Sequence, residues 1–177
     1  DMVSILASGD AGNLPLDCQN GDFEEFVNAL YVVLMNLSRK IAGDGEGATK
    51  LLECVVTGAE SKEQARIVAK SVIKSSLLKA GMFGADANWG RVLCAIGYAE
   101  TEVDVTAVDV AFASENGAIE VCKDGAGVDF SEEKAKKILV ADEVKILIDL
   151  NSGEETATAW GCDLTYDYVR INGDYRS

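Results

Sequence analysis

Three stretches of this chain use polar and glycine residues in ways that packing alone does not demand. Gly43-Asp44-Gly45-Glu46-Gly47-Ala48-Thr49-Lys50 sets two carboxylates among three glycines. Glycine admits positive φ and lets a backbone approach a ligand closely. The corner therefore has the makings of a site for an amine, an ammonium group or Mg²⁺. The same pattern equally serves as a solvated C-cap of a helix. It is not a phosphate-binding P-loop, whose Gly-Lys-Ser/Thr ending is absent. The second stretch is Gly84-Ala85-Asp86-Ala87-Asn88-Trp89-Gly90-Arg91. Asp86 or Asn88 can cap a following helix, and Trp89 is a large packing anchor. Alternatively, the loop shapes a pocket and aims the planar Arg91 fork at a carboxylate. The third stretch runs from Ala157 to Ser177 and holds Trp160, Tyr166, Tyr168 and Tyr175 in a chain that is only 7% aromatic. Chain ends fray unless tied down, so this segment reads as a docked tail. It either closes the fold or lines a site with its polar tip, Asn172 and Ser177.

The elements that position these stretches follow from periodicity. Phe23, Phe26, Val27, Leu30, Val33, Leu34, Leu37 and Ile41 recur at three and four residues, which predicts a helix over 22–42 with a wide apolar face. The β-branched run 51–56 predicts a strand. Ser61 with Gln64 forms a capping box that opens a helix over 62–74. A glycine-rich segment, 81–84, leads to a short helix ending near Tyr98. Val108 to Ala113 and Ala118 to Cys122 flank Glu115-Asn116-Gly117, a strong hairpin signal. Asp129 with Glu132 suggests a capping box before a helix over 131–139. A second hairpin is expected from 144–150 and 155–162 around Asn151-Ser152-Gly153, then a last helix over 164–171. The opening residues, Met2 to Ser8, read as a strand that ends at the Gly9 turn. The expected class is α/β (α+β), with mixed sheets layered with helices.

Composition narrows the chemistry. The chain has 177 residues, 16 Lys+Arg against 30 Asp+Glu, a net charge of −14, and no histidine. Without imidazole there is no Ser-His-Asp or Cys-His relay, and the commonest metal ligand is missing. Such acidity argues against nucleic acid as a partner. Cys18, Cys54, Cys94, Cys122 and Cys162 are odd in number and show no CxxC spacing, so they read as isolated thiols acting as small hydrophobes in a reducing compartment. The longest apolar stretch, 26–37, is interrupted by Asn28 and Asn36, too short and too polar to span a bilayer. No basic, signal-like segment opens the chain. No membrane association is expected, and the expected setting is cytoplasmic. The chain opens directly in a strand-like run without an initiator Met, which suggests a piece of something longer. Asp1 is a poor N-terminal nucleophile, a role that needs Thr, Ser or Cys beside its own amine.

Taken together, Gly43 to Lys50, Asp86-Ala87-Asn88-Trp89-Gly90-Arg91 and the run from Ala157 through Ser177 resemble the ornithine acetyltransferase (glutamate N-acetyltransferase) family of arginine biosynthesis. The opening residues 1–13 also look like that family's first strand and turn. The likeness extends over essentially the whole chain in matching order. It implies the N-terminal-nucleophile type of acyltransferase fold, and a precursor that cleaves itself before a threonine into an α chain and a β chain. The new N-terminal threonine takes acetyl from N2-acetylornithine and passes it to glutamate, its own amine serving as local base; some members also accept acetyl-CoA. By this resemblance the 177 residues are the C-terminal majority of the β chain, and the nucleophilic threonine and the oxyanion donors lie outside it.

The resemblance implies no catalytic residue in this chain, no metal and no cofactor. It assigns substrate binding to Glu46, whose charge suits the ammonium end of ornithine, to Asn172, and to Ser177. It implies residues 1–48 as the end of the nucleophile-bearing catalytic layer and residues 49–177 as the C-terminal α/β domain. The implied partners are the α chain and the missing N-terminal β segment, in an α2β2 heterotetramer. Gly173 and Ala87 replace a commoner small residue and a commoner proline without removing a functional group. Two other readings are an aminopeptidase of the same fold and a non-catalytic acidic partner domain.

Overall fold

Strand β1 (Leu51–Ala59) organises the chain because its alternate residues Leu52, Cys54 and Val56 are fully buried. The computed structural model describes residues 2–17 and 21–174. These fall into two compact units, residues 1–41 and 42–177.

The first unit holds all but the last two residues of helix α1 (Gly21–Gly43), which matches the predicted span within a residue at each end. The helix buries none of its residues, and Phe26, Tyr31, Val32 and Val33 are exposed. The predicted opening strand does not form. Residues 2–8 are irregular and exposed, and the chain turns at Ser8–Ala11 with Gly9 at φ +80°. A strand needs a partner to satisfy its backbone groups, and none of the described residues pairs with this one.

In the second unit, β1 is followed by α2 (Lys62–Lys74), α3 (Ser76–Phe83) and α4 (Trp89–Gly97). Next come β2 (Asp109–Ser114), β3 (Gly117–Lys123), β4 (Ala126–Gly127) and α5 (Glu132–Leu139). The chain closes with β5 (Glu143–Asp149), β6 (Glu155–Cys162) and α6 (Tyr166–Asp174). The six strands form one mixed sheet in the order β4-β3-β2-β5-β1-β6, so the expected class is the one found.

The first predicted hairpin is present, with Phe112 opposite Ile119. The second is not. Strand β1 lies between β5 and β6, parallel to the former and antiparallel to the latter, so that Cys54 faces both Ile146 and Ala159. Residues 150–154 therefore step over a strand rather than turn tightly. Two strand spacings are roughly 10 Å, well within the reach of five extended residues. The link is held to β1 by Leu150 N–H donating to Thr57 O at 3.0 Å and Ser152 N–H to Gly58 O at 2.8 Å.

Helices cover one face of the sheet, α2 against β1 and β6, α5 against β2 and β3. Val68, Val72, Ile138, Phe112 and Ile146 close the core between them. The Ser61 cap forms as predicted and accepts from Gln64 N at 3.1 Å. Helix α5 is capped by Ser131, which accepts from Lys134 N, and not by Asp129. On the opposite face, half-buried Trp160 donates Nε1–H to Glu53 at 3.0 Å, and Lys145 pairs with the same carboxylate at 3.2 Å.

Candidate functional site

The glycine corner begins where α1 ends. Ala48 N–H donates to Gly45 O at 2.8 Å and closes a tight turn with Glu46 exposed at its tip. Only Gly47 of the three glycines takes positive φ, +83°. A Cβ on Gly47 would stand 2.6 Å from the backbone nitrogen of Tyr168 and 2.7 Å from the carbonyl carbon of Asp167. A Cβ on Gly45 would stand 2.9 Å from the Cys162 sulfur. These two glycines thus admit the protein's own C-terminal segment, where the sequence suggested close approach of a ligand. Gly43 meets only ordinary contact with Leu51 at 3.8 Å.

The tail docks as the aromatic content suggested, and α6 spans 166–174 rather than 164–171. Thr165 is buried, donates its hydroxyl to Gly47 O at 2.5 Å and accepts from Tyr168 N at 2.8 Å. Tyr168 lies under the Lys79 ammonium, 5.5 Å from ring centre to nitrogen, and Tyr166 meets Phe83 edge to face at 5.7 Å. Cation–π and edge-on aromatic contacts of this kind favour the docked helix. Leu164 N–H adds a bond to Lys79 O at 3.2 Å. Both partners come from α3, a helix hidden in the sequence by Gly81 and Gly84.

Asn172 lies one turn beyond Tyr168 on α6. Its side-chain amide donates to Tyr168 O at 2.8 Å and reaches Glu46 O at 3.4 Å. Glu46 and Asn172, 126 residues apart, therefore meet at an exposed corner. Ser177, the third expected contact, lies outside the described residues, as do Cys18 and the tail residues Tyr175 and Arg176. Behind the corner, Lys50 donates Nζ–H to Met82 O at 2.6 Å. Partial burial lowers the Lys50 pKa from the usual lysine value, against the pull of Asp163 and Asp142.

Two residues to which the sequence reading gave no role hold this arrangement together. Asp163 is fully buried and accepts Thr49 N–H at 2.8 Å, the Thr49 hydroxyl at 2.6 Å and Lys50 N–H at 3.0 Å. Thr165 completes the clasp from the other side of Leu164. A buried carboxylate is tolerated only when hydrogen-bonded, and Asp163 is so served by the corner itself. The only hint in the sequence was a short polar pair after an apolar strand.

The second stretch resolves as architecture. Asn88 caps α4 by accepting from Arg91 N at 3.2 Å, and Trp89 packs where a Cβ on Gly127 would come within 2.6 Å of its ring. The Arg91 guanidinium donates to Leu77 O at 2.6 Å and sits 3.6 Å from the Asp86 carboxylate, tying α3 to α4. Its fork is engaged by the chain's own groups. Among the cysteines, Cys54, Cys122 and Cys162 are buried free thiols, and burial pushes the Cys54 thiol up. Cys94 departs from the expectation: it is exposed, its sulfur 3.0 Å from Tyr98 Oη.

Among the described residues, one surface hollow lies over the open sheet face at Thr57, Asp109 and Leu147, and another between α2 and Tyr98. Among the described residues no group of three or more His, Cys, Asp and Glu is placed to hold a metal ion, and no helix is long and apolar enough to cross a membrane.

Fold and corner together define a mixed α/β protein whose C-terminal helix is clasped onto a glycine-acid turn about 120 residues upstream. The whole chain, residues 1–177, matches the family described as the ArgJ family, and it belongs to that family. It is 53% identical over 177 residues to the arginine biosynthesis bifunctional protein ArgJ 1 of Clostridium acetobutylicum, covering 100% of this chain and 43% of that protein. It is 47% identical to the arginine biosynthesis bifunctional protein ArgJ of Thermotoga neapolitana, covering 100% of this chain and 45% of that protein. A crystal structure of the bifunctional protein argJ from Bacillus halodurans matches with a TM-score of 0.90 at 48% identity, over 99% of this chain and 81% of that one. The chain spans less than half the length of these two relatives.

Proposed function

We propose that these residues are the C-terminal majority of the β chain of a glutamate N-acetyltransferase. The enzyme would move acetyl from N2-acetylornithine to glutamate in arginine biosynthesis, in the cytoplasm. Residues 1–48 would continue the nucleophile-bearing layer and 49–177 the C-terminal domain, within an α2β2 assembly completed by the α chain and the upstream β segment.

The chemistry is nucleophilic catalysis by an N-terminal threonine supplied from outside these 177 residues. Its hydroxyl oxygen attacks the acetyl carbonyl carbon of acetylornithine and gives its proton to the terminal amine. The carbon–nitrogen bond to ornithine breaks, and that proton leaves with the ornithine amine. In the second half the glutamate amine attacks the acetyl ester, the carbon–oxygen bond breaks, and a proton returns to the threonine. Glu46 would hold the ammonium group of ornithine, and Asn172 and Ser177 would bind the polar ends of the substrate. The family resemblance extends the reading to acetyl-CoA as a second acetyl donor, which some members accept.

The observation that carries this reading is the closeness of Glu46 and Asn172, whose amide stands 3.4 Å from the Glu46 carbonyl oxygen. The Asn172 side chain thus lies against the backbone of the exposed turn that carries Glu46, 126 residues away in sequence, which suits a shared substrate contact. The test is acetyl exchange in the full-length protein, using acetylornithine labelled in its acetyl group. Labelled N-acetylglutamate, with label trapped on threonine, is the expected result. Intact, correctly assembled protein that transfers no label would leave the non-catalytic partner domain in its place.

A further inference from the structure

Among the described residues three polar side chains are buried: Gln64, Asp163 and Thr165. Gln64 completes the start of α2, its amide oxygen accepting from Glu60 N at 2.8 Å and its amide group donating to Glu102 O at 2.9 Å. The other two face the glycine corner. Asp163 takes all its bonds from residues 49 and 50, on the C-terminal side of Glu46. Thr165 takes the residue immediately after Glu46, through Gly47 O. The same Thr165 oxygen accepts from Tyr168 N and so sets the first turn of α6, the helix that carries Asn172. One hydroxyl therefore governs the spacing between the two turns of chain that bear Glu46 and Asn172.

We propose that Asp163 and Thr165 are positioning residues for substrate: they touch no ligand and act by fixing Glu46 against Asn172. The proposal rests on the reading that Glu46 binds substrate. Simple closure of the fold would be served as well by apolar side chains, which need no partners. Here the two buried polar groups bond the corner at Gly47, Thr49 and Lys50, the residues that follow Glu46, which orients a loop in a way that packing alone does not. A Cβ on Gly47 would stand 2.6 Å from Tyr168 N, so the corner and the first turn of α6 pack with no room for a side chain between them.

The experiment uses the full-length protein, four single substitutions and one double variant. Thr165→Val removes the hydroxyl with little change of volume, and Thr165→Ser keeps it. For Thr165→Val the acetylornithine KM should rise about tenfold with kcat nearly unchanged, the factor that one or two lost hydrogen bonds carry. Thr165→Ser should restore the parental KM. In a Glu46→Gln background Thr165→Val should add little more, because coupled residues are not additive. Should Thr165→Val melt out, Thr49→Val removes only the outer bond to Asp163 and should give the same KM-selective effect in smaller measure. Equal effects of Thr165→Val with and without Glu46→Gln would overturn the positioning role, and so would a fall in kcat alone. If Glu46→Gln by itself leaves KM unchanged, the substrate role of Glu46 fails and the clasp is structural.

Discussion

Replacing Gly47 by alanine tests whether the glycine corner and α6 form one unit. Two costs add. At φ +83° an L side chain sits in the left-handed region, at about 1–2 kcal/mol per residue. The new Cβ would also lie 2.6 Å from Tyr168 N and 2.7 Å from the Asp167 carbonyl carbon. Both are backbone atoms, so no side chain can swing aside, and overpacking of this kind costs about 1–3 kcal/mol. The sum is about 3 kcal/mol, or a fall in Tm of about 6–12 °C for a domain of this size. Relief requires α6 to lift off the corner, which lengthens the bond from Thr165 to Gly47 O and moves Asn172 from Glu46. The acetylornithine KM should therefore rise together with the loss of stability. Gly43→Ala is the control: its Cβ meets Leu51 at 3.8 Å, its φ is not positive, and the change should be within about 0.5 kcal/mol. The measurement is paired thermal and denaturant unfolding with steady-state kinetics. Equal losses for the two variants, or an unaffected Gly47→Ala, would refute the reasoning.

Two further predictions concern the sheet. Phe112 is fully buried under α5 and its neighbours, so Phe112→Ala should cost about 3–5 kcal/mol in denaturant unfolding. Burial pushes the Asp109 carboxyl up, but the Lys123 ammonium, Asp124 N–H and the Asn151 amide outweigh it and hold the pKa below the usual aspartate value. A depressed carboxylate stabilises the fold above its unfolded pKa, about 3.9, and that contribution fades as pH falls through the folded value. Asp109→Asn should therefore be less stable than the parent at neutral pH, and the gap should narrow in acid unfolding below about pH 4. A gap that stays constant down to pH 2 would remove Asp109 from the acid response.

Elements marked by local chemistry were legible. Ser61 announced its helix by capping, Asp86 or Asn88 announced the next, with Asn88 the cap that forms, and Asn116-Gly117 announced a hairpin, because each signal acts within a few residues. Asn151-Ser152-Gly153 carries the same chemistry, yet a link that steps over an intervening strand uses the same polar, flexible residues as a tight turn. Only the long-range insertion of β1 tells the two apart. Helix α3 was masked by Gly81, which leaves room beneath the Arg91 side chain. The strand predicted for residues 2–8 had the right residues but lacks a partner among those described. At the corner, glycine spacing pointed to the right loop, and family likeness supplied Glu46 and Asn172. Asp163 and Thr165 were invisible because their bonds close loops of 114 and 118 residues, and no periodicity records such a closure.

Under the proposed function the glycine corner binds the ammonium end of an amino-acid substrate through Glu46. The acetylornithine KM of Glu46→Gln in the full-length protein, with kcat followed alongside, tests it most directly. A hydrogen bond to a charged group contributes about 1.5–3 kcal/mol, so KM should rise about tenfold or more. A KM equal to that of the parent would contradict the account.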